Sequence, residues 1–378
     1  MTVFTVCLPF EDRHMGGSYV ACLPLLSGPK RGDFLPVIAV THHAGPWAER
    51  LARDGIPSIR LAPLTLPGRD GGLLATLPAY LWQTLSLCRF IRKHGIAVVH
   101  ANEESVAVAW LPACRLSGAK LVLQQHGVPY PSRLTRFAHR HCDRLIAVSK
   151  FIDELLAREG RGADEIVTNP FCQEEGGEAW NPAERAVLKE RLGLPMDRPV
   201  IAFIGSLTEQ KRARLLLTAL RQAVAQSLHR PKLLMFGDDR SEMASTLTAM
   251  ARDEVAPVDL ILMGHRSDLR DWLRASDIFA AAAVDEGFGR AVVEAMLNGV
   301  AIVASASGGH REIVAHERTG LLVEADDADA LSQALLRLMD DVGLRERLAR
   351  AAQEEAQKRF LKTDYAAALQ AVYAGLLP

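Results

Sequence analysis

The sequence predicts an α/β protein with two tandem, doubly wound, Rossmann-like domains. The chain has 378 residues, which exceeds the roughly 250–300 residues over which one hydrophobic core keeps growing. Short apolar runs alternate with helical patterns along the chain, as is typical of a parallel sheet with helices on both faces. The alternation stops once, between Pro170 and Pro182, where a Gly-Gly pair and acidic residues replace the periodic pattern.

The first predicted domain covers residues 1–170. Its helical patterns include Leu73–Lys93 and Phe151–Arg158. Because strands and helices alternate, we expect its strands to pair in parallel. The predicted strands are Val3–Leu8, Val37–Thr41, Ala97–His100, Leu121–Gln125, Leu145–Val148 and Ile166–Thr168.

The second predicted domain covers residues 183–360 and follows a linker at residues 170–182. Its helical patterns include Arg214–Ser227, Ala291–Asn298 and Ala328–Asp340, and one more helical pattern lies in the tail, residues 361–378. The predicted strands are Val200–Gly205, Lys232–Phe236, Leu260–Met263, Ile278–Ala281, Ala301–Ala304 and Leu321–Val323.

Composition argues against several classes of protein. Lys+Arg is 44 and Asp+Glu is 45, and this net charge of −1 gives no support to a dedicated nucleic-acid binder. Aromatic residues are only 6%, which weakens a base-stacking role. The charge is unevenly spread, with a net of +5 in residues 1–170 and −6 in the remainder. Different partners for the two halves would explain this, and so would chance surface variation.

The cysteines and the apolar stretches indicate a cytoplasmic protein. All six cysteines lie in the first half without C-x-x-C spacing, which favours buried free thiols in a reducing compartment. The N-terminus lacks the pattern of a signal peptide. The longest uncharged stretch, Gly71–Cys88, contains Pro78 and several polar residues, so an amphipathic or buried helix is expected there rather than a membrane span.

The stretch Ala280–Gly309 carries the strongest functional signal. Ligands of doubly wound sheets bind at the carboxyl ends of the strands, and a cleft between two such domains is the default site. Glu286 ends a loop after a predicted strand, and glycines at 287 and 289 allow close approach of a ligand. The helix that starts there can hold a phosphate, with Glu294 about one turn further on. Each glutamate alone is equally well an ordinary loop or capping acid.

This stretch resembles retaining glycosyltransferases of the glycosyl transferases group 1 family, which have the two-domain GT-B fold. The resemblance rests on E-G-F-G-x-x-x-x-E-A-M-x-x-G from Glu286 and on V-A-S-x-x-G-G-x-x-E-I-V up to Val314. It continues through T-G-L-L-V at Thr319–Val323. Upstream, Phe203–Leu207 with Lys211 resembles the family's G-R-L-x-x-x-K-G loop.

The first half resembles the family more sparsely. Gly16-Gly17 is similar to a glycine loop that faces the donor phosphates, and His126 stands in a Q-H-G signature after a strand. A strand-to-helix turn explains the glycines equally simply, and a turn residue is the alternative for His126. Asn169 resembles the turn that opens the interdomain linker, and the resemblance implies that the tail helix packs on the first domain.

The resemblance implies a transfer of a sugar from a nucleoside diphosphate sugar, with UDP favoured, to a glycan or lipid-linked acceptor, with retained configuration. It implies His126, Glu286 and Lys211 as catalytic residues: Lys211 neutralises the leaving diphosphate, Glu286 binds sugar hydroxyls and His126 positions the sugar and the acceptor. Glu294 holds the ribose. Donor-binding residues are Gly16, Gly17, Gly205, Ser206, Lys211, Gly287, Phe288, Gly289, Arg290 and Glu294.

The sequence departs from the family pattern at the diphosphate loop. Ser206 stands where members carry Arg, so the second cation at the diphosphate would have to come from Arg212, Arg214 or Arg290. No metal motif is present, and Asp327-Ala328-Asp329 is better explained as a helix N-cap than as a metal site. We therefore expect no metal and no cofactor beyond the donor substrate.

Other functions and partners remain open. An epimerase or a phosphorylase of the same fold, or a non-catalytic nucleotide-sugar-binding protein, would share these motifs, while the missing G-x-G-x-x-G argues against a dehydrogenase. The basic stretch Arg133–Arg144 is either an amphipathic helix at an anionic surface or an ordinary solvated face. Peripheral contact with the inner face of the membrane through the basic first domain is one expectation; a nucleic-acid partner is not expected.

Overall fold

The computed structural model describes residues 4–12, 16–27, 36–67, 72–171, 181–238, 240–252, 258–266, 268–361 and 365–377. The chain divides into two compact units. The first consists of Met1–Pro170 with Asp364–Pro378, and the second of Phe171–Thr363. Within the predicted linker, residues 172–180 lie outside the described residues, and Pro182 already begins a helix of the second unit.

The first unit is built on a seven-stranded, all-parallel sheet in the order β3-β2-β1-β4-β5-β6-β7. The strands are β1 Thr5–Phe10, β2 Val37–Thr41, β3 Ser58–Arg60, β4 Ile96–Ala101, β5 Lys120–Gln125, β6 Arg144–Ala147 and β7 Glu165–Ile166. The helices are α1 Gly17–Val20, α2 Leu23–Ser27, α3 Pro46–Arg53, α4 Leu73–Lys93, α5 Glu104–Ser117, α6 Arg133–His141 and α7 Lys150–Arg158.

The second unit has a six-stranded parallel sheet in the order β10-β9-β8-β11-β12-β13. Its strands are β8 Val200–Ile204, β9 Lys232–Phe236, β10 Asp259–Gly264, β11 Ile278–Ala281, β12 Ala301–Ser305 and β13 Leu321–Val323. Its helices are α8 Pro182–Arg191, α9 Ala213–Gln226, α10 Glu242–Ala251, α11 Leu269–Ala275, α12 Arg290–Leu297, α13 His310–Ile313, α14 Ala328–Asp340 and α15 Val342–Arg359.

The last helix, α16 (Tyr365–Ala374), belongs to the first unit although it follows the second in sequence. Leu369 and Val372 join the core around β1. The hydroxyl of Tyr365 donates to Gln124 Oε1 at 2.9 Å, and the hydroxyl of Tyr373 forms a short hydrogen bond with buried His100. The helix is therefore an integral part of the first core.

Burial in the two sheets explains why the strands could be predicted. β8, β11 and β12 are buried along nearly their whole length, so each is a continuous apolar run of the kind that marks a doubly covered parallel strand. All twelve predicted strands are present, with ends shifted by up to two residues. β3 was not predicted from the sequence, because it is a three-residue edge strand with two exposed residues and no apolar run.

Three further features of the structure bear on the sequence predictions. Asp327 caps α14, since its side chain accepts a hydrogen bond from the Ala330 amide at 2.8 Å, as predicted. Five cysteines are free and buried, while the sixth, Cys172, lies outside the described residues. Among the described helices, none combines the length and the apolar character that crossing a bilayer requires.

Candidate functional site

Lys211 and Glu286 meet at the carboxyl edge of the second sheet. Lys211 lies in the loop after β8 and Glu286 in the loop after β11, and these strands are neighbours in the sheet. The Lys211 Nζ donates to Glu286 Oε2 at 2.5 Å, and both side chains are partly exposed. A partly exposed ammonium and carboxylate can both exchange this pairing for contacts with a ligand.

Backbone contacts hold the two loops together. The Val284 amide, in the loop after β11, donates to the carbonyl of Gln210 at 3.0 Å. Asp285 adopts a left-handed backbone conformation with φ of 51°, and its amide donates to Ser307 Oγ at 2.9 Å. The position of Glu286 is therefore set by loops after three strands, β8, β11 and β12.

Two glycines after β12 allow the acidic loop to lie directly against the backbone. The Gly309 amide donates to the Glu286 carbonyl at 2.8 Å. A Cβ atom at Gly309 would lie 2.3 Å from the Phe288 carbonyl oxygen, and one at Gly308 would lie 2.3 Å from the Glu286 carbonyl oxygen. The Gly-Gly pair noted in the sequence is thus required for packing behind Glu286.

Helix α12 begins directly after this loop. Gly289 precedes it with φ of 100°, a conformation that favours glycine, and no side chain caps the helix. Glu294 lies one turn into the helix, where Arg290 Nη2 donates to its Oε1 at 3.1 Å. The helix start and the Glu294 carboxylate therefore lie within one turn of each other, as the pattern predicted.

The other predicted donor-binding residues of this unit differ in exposure. Ser206 is exposed beside Gly205, and an added Cβ at Gly205 would contact the Lys211 side chain. Gly287 is buried. The ring of Phe288 is also buried, 6.2 Å from that of Phe171 and 5.9 Å from that of Phe360, so it packs in an aromatic cluster.

The three candidate second cations each have an acidic partner. Arg212 makes two contacts with Asp326, at 2.5 and 3.1 Å. Arg214 pairs with Glu209 at 3.2 Å, and Arg290 pairs with Glu294. Arg290 also stacks over the Phe171 ring at 4.6 Å. Lys211 likewise has an acidic partner, Glu286.

His310 is a buried neighbour of this site that was not predicted from the sequence. An added Cβ at Gly289 would lie 3.0 Å from its ring, and its Nδ1 lies 3.3 Å from Ser305 Oγ. Burial lowers the pKa of His310, with a smaller opposing effect from Glu286. The imidazole is therefore neutral at pH 7 and supports the loop by packing.

The remaining predicted residues, Gly16, Gly17 and His126, belong to the first unit. Gly16 precedes α1 in extended conformation, and both glycines are exposed. His126 follows β5, and its Nε2 lies 3.1 Å from Oδ1 of Asn102, a buried residue that follows the adjacent β4. Asn102 was missed because a single polar residue after a strand carries no pattern.

A cavity of about 670 Å³ opens at the same edge of the first sheet. Its lining includes Glu11, Glu103 and Glu104 together with apolar residues. Burial raises the pKa of Glu103, which also accepts a hydrogen bond from the Glu11 amide at 3.3 Å. The apolar and aromatic lining consists of Leu66, Pro67, Val108, Tyr130 and Leu134.

This acidic lining was not predicted from the sequence. Residues 1–170 carry a net charge of +5, yet the described side chains around the cavity include three glutamates and no lysine or arginine. Across the described parts of the chain, no group of three or more His, Cys, Asp or Glu is arranged to hold a metal ion.

The described edge of the second sheet can bind an anion next to a polar, hydroxyl-bearing group. A helix start and an ammonium stabilise negative charge, and two carboxylates nearby accept hydrogen bonds from hydroxyls. This combination matches the chemistry of a phosphorylated sugar. It involves residues from loops after β8, β11 and β12 and from α12.

Comparison with known proteins gives matches over both halves. The sequence profile described as glycosyl transferases group 1 matches residues 184–355, and that described as glycosyltransferase family 4 matches residues 30–170. Alpha-maltose-1-phosphate synthase of Mycolicibacterium smegmatis is 31% identical over 271 residues, which are 65% of this chain and 69% of that protein.

Two other curated relatives differ in how much they cover. A UDP-Gal:alpha-D-GlcNAc-diphosphoundecaprenol alpha-1,3-galactosyltransferase of Escherichia coli is 25% identical over 86% of this chain and 88% of its own length. A D-inositol 3-phosphate glycosyltransferase of Xylanimonas cellulosilytica is 36% identical over 50% of this chain. This chain spans 45% of that relative, about half of its length.

Solved structures show the fold. Anabaena Alr3699/HepE in complex with UDP and glucose has a TM-score of 0.81 at 21% identity, covering 98% of this chain and 100% of that one. A glycosyltransferase from Rickettsia africae has a TM-score of 0.83 at 18% identity, covering 100% and 99%. Together with the seven- and six-stranded parallel sheets, these likenesses confirm the predicted two-sheet fold of GT-B type.

Proposed function

The chain is an enzyme of the glycosyl transferases group 1 family, and from that premise we propose that it transfers a sugar from a nucleoside diphosphate sugar to a glycan or lipid-linked acceptor. The observation that carries the proposal is the Lys211–Glu286 pair beside the start of α12. A cation and a helix start suit a diphosphate, and the adjacent carboxylate suits a sugar.

Lys211 and Glu286 already pair with each other, so donor binding would replace this pairing with contacts to the donor. Lys211 would leave Glu286 for a diphosphate oxygen, and Glu286 would then accept hydrogen bonds from sugar hydroxyls. Glu294 would accept from the ribose hydroxyls one turn along α12. The glycines at 287 and 289 would let the diphosphate approach the helix start closely.

In the transfer step, an acceptor oxygen forms a bond to the anomeric carbon as the bond from that carbon to the diphosphate oxygen breaks. The acceptor proton passes to the departing diphosphate oxygen. Lys211 offsets the negative charge that develops on the leaving group, which is where electrostatic stabilisation accelerates such a reaction most. His126 would position the sugar and the acceptor.

We propose retention of configuration and a UDP donor. Retention is the outcome that the motif resemblance implies, and attack from the face of the departing diphosphate requires no covalent nucleophile. The UDP assignment draws on the galactosyltransferase relative, whose name specifies UDP-Gal, and on the Anabaena structure with UDP and glucose. Because Lys211 and the start of α12 would together offset the negative charge of the diphosphate, we propose metal-independent transfer.

The cavity of the first unit is the proposed acceptor site. Its carboxylates accept hydrogen bonds from hydroxyl groups, and Tyr130 with the apolar lining offers a surface for the face of a sugar ring. Three glutamates would repel an anionic group at the cavity itself. The part of the acceptor that enters is therefore a neutral sugar, and any lipid phosphate would lie outside.

We place the enzyme in the cytoplasm with peripheral contact at the inner face of the membrane, acting in polysaccharide or glycoconjugate synthesis. The net charge of +5 in residues 1–170 supports contact with anionic lipid. The galactosyltransferase relative, whose named acceptor is a diphosphoundecaprenol, supports a lipid-linked acceptor.

The test is transfer of labelled sugar from UDP- and GDP-sugars to a lipid extract, with release of the nucleoside diphosphate followed in parallel. The wild-type chain should release one diphosphate per sugar transferred. Glu286→Gln should abolish transfer, while Glu209→Gln, on the same edge of the sheet, should retain it. Donor binding without transfer or hydrolysis would favour a non-catalytic role, and epimerised donor would favour the epimerase alternative.

A further inference from the structure

Helix α4 presents an exposed apolar stripe in the first unit. Leu74, Leu77, Leu81 and Leu85 recur at helical spacing, and Trp82 flanks them. The exposed fractions are 86% for Leu74, 55% for Leu81 and 64% for Trp82. Burying such side chains against an apolar partner favours association, so a stripe of five large apolar side chains indicates a partner surface.

The stripe continues into positive charge. Arg89 and Arg92 follow on the same face, one and two turns beyond Leu85, and Lys93 ends the helix. The whole of α4 contains no aspartate or glutamate. The exposed face thus changes from apolar to cationic along its length without an opposing charge.

Helix α6 repeats this chemistry in the same helical layer. Helix α5 packs against both α4 and α6. On α6, Leu134 and Phe137 are exposed between Arg133, Arg136 and Arg140, and the helix again has no acidic residue. Leu134 also lines the proposed acceptor cavity, so this layer reaches the rim of the cavity.

We propose that the exposed faces of α4 and α6 are an interfacial surface that binds an anionic lipid bilayer, with α4 lying in the plane of the membrane. The inference rests on the proposed membrane contact of the first unit and locates it. Charge complementarity decides between occupants: cations matched with leucine, phenylalanine and tryptophan suit anionic headgroups above acyl chains. A second copy of the chain would instead bring like charges together.

The location of this surface explains how an enzyme could use a lipid-linked acceptor. Leu134 lies at the cavity and on the lipid-binding face, so a sugar attached to a membrane lipid could enter the cavity while its anionic phosphate stays at the cationic surface. The neutral sugar of the acceptor would then contact the cavity, and its anionic phosphate would contact the cationic surface.

The test is co-sedimentation of the full chain with vesicles of phosphatidylcholine, with and without phosphatidylglycerol, at low and at high salt. Wild type should bind the anionic vesicles, more tightly at low salt. Leu81→Gln with Trp82→Gln should weaken binding at least roughly tenfold. Arg89→Gln with Lys93→Gln should weaken it about fivefold for each cation removed and reduce its salt dependence. Val187→Gln with Arg191→Gln, exposed on α8 of the second unit, is the matched control and should bind as wild type.

Two parallel measurements separate the outcomes. Stabilisation of each variant by UDP reports the donor site independently of lipid. If UDP stabilises the wild-type chain but the chain does not co-sediment with anionic vesicles at low salt, the proposed lipid-binding surface is contradicted and the proposed donor site stands. Vesicle binding without any nucleotide effect would support the lipid surface and contradict the proposed donor site. A dimer in sedimentation velocity that the Leu81/Trp82 variant abolishes, with no vesicle binding, would assign the face to a second copy and overturn the inference.

Discussion

Glu294 is the residue whose proposed role can be separated most cleanly from that of its neighbours. It lies one turn inside α12, fixed by Arg290, and would contact the ribose rather than the diphosphate. Hydrogen bonds to a charged group contribute about 1.5–3 kcal/mol. Glu294→Gln should therefore weaken UDP binding roughly tenfold and leave pyrophosphate binding unchanged, as measured by calorimetry. Equal losses for both ligands would place Glu294 at the diphosphate instead.

His100 predicts how stability depends on pH. Burial lowers its pKa from 6.5 to about 3, so the folded chain keeps the imidazole neutral while the unfolded chain protonates it below pH 6.5. Stability should be fully present above pH 6.5 and fall as the pH drops toward 3, by up to about 1.4 kcal/mol per unit for this group. Burial also lowers the pKa values of His42 and His310, which adds to the slope.

The measurement is urea unfolding at several pH values from about 6.5 down to about 5.5, the range just below the unfolded pKa of histidine. His100→Gln should be less stable than wild type at pH 7 but lose less stability on acidification. His265→Gln, at an exposed position, is the control for replacing a histidine. An unchanged slope in His100→Gln would show that His100 does not remain neutral in the folded chain.

The sequence motif identified which residues belong to the candidate site, but not which residues they contact. Glu286 was identified within the glycine-containing block Ala280–Gly309, and Lys211 through the resemblance of its loop to the family's G-R-L-x-x-x-K-G pattern. Their direct contact spans 75 positions in sequence and depends on β8 and β11 being neighbours. The cavity acids Glu11, Glu103 and Glu104 were missed because one or two acids after a strand have no periodic signal.

Among the elements, the loop after β12 decides how accurately Glu286 is placed. Gly309 has φ of −61°, so its backbone suits any residue, and only the space near the Phe288 carbonyl excludes a side chain. Gly309→Ala should therefore lower stability by about 1–3 kcal/mol through overpacking and reduce transfer by displacing Glu286. Thermal unfolding and donor turnover check the two effects.

The control for Gly309→Ala is Gly343→Ala. Gly343 lies in α15, where an added Cβ meets its nearest neighbour, Asp341, at 3.4 Å. Alanine there should leave stability unchanged or raise it by up to about 1 kcal/mol. A Gly309→Ala variant as stable and active as this control would contradict the close packing behind Glu286.

Among the strands, those buried in the core were predicted from the sequence, whereas the edge strand β3 was not. Buried parallel strands such as β9 and β11 were predicted with their observed ends because continuous apolar runs mark them. β3 was not, because two of its three residues are exposed and its pairing depends only on β2. Edge strands are stabilised by tertiary pairing that local sequence does not show.

In the molecule as a whole, the first unit is built from two separate segments of the chain. Helix α16 returns to the first unit after the second is complete. Tyr373 is fully buried there and bonds His100. Tyr373→Phe should cost about 1–3 kcal/mol, because the buried ring nitrogen of His100 loses its partner.

Chemical denaturation of Tyr373→Phe checks this anchoring, with Tyr130→Phe as the control at an exposed tyrosine. Removal of residues 365–378 should be far more damaging and should prevent the first unit from folding cooperatively. A truncated chain with wild-type stability would show that α16 is not part of the first core.

Net charge proved a poor guide to the sites of either unit. The half with a net charge of +5 carries an acidic cavity, and the half with −6 carries the proposed diphosphate site. In both units, the groups next to the ligand determine which charge is bound. At the proposed donor site, a lysine and a helix start at contact distance outweigh distant surface charges, which salt screens within about 8 Å. The positive excess lies instead partly on α4 and α6.

Calorimetric titration of UDP into the wild-type chain and into Lys211→Ala is the sharpest test of the proposed donor site, with exposed Lys358→Ala as the control. Wild type and control should each bind one UDP, and Lys211→Ala should bind it about 10- to 100-fold more weakly, because a charge-assisted contact with the diphosphate is lost. Equal affinity in Lys211→Ala, or no binding of any nucleoside diphosphate to wild type, would contradict the assignment of the second unit as the donor site.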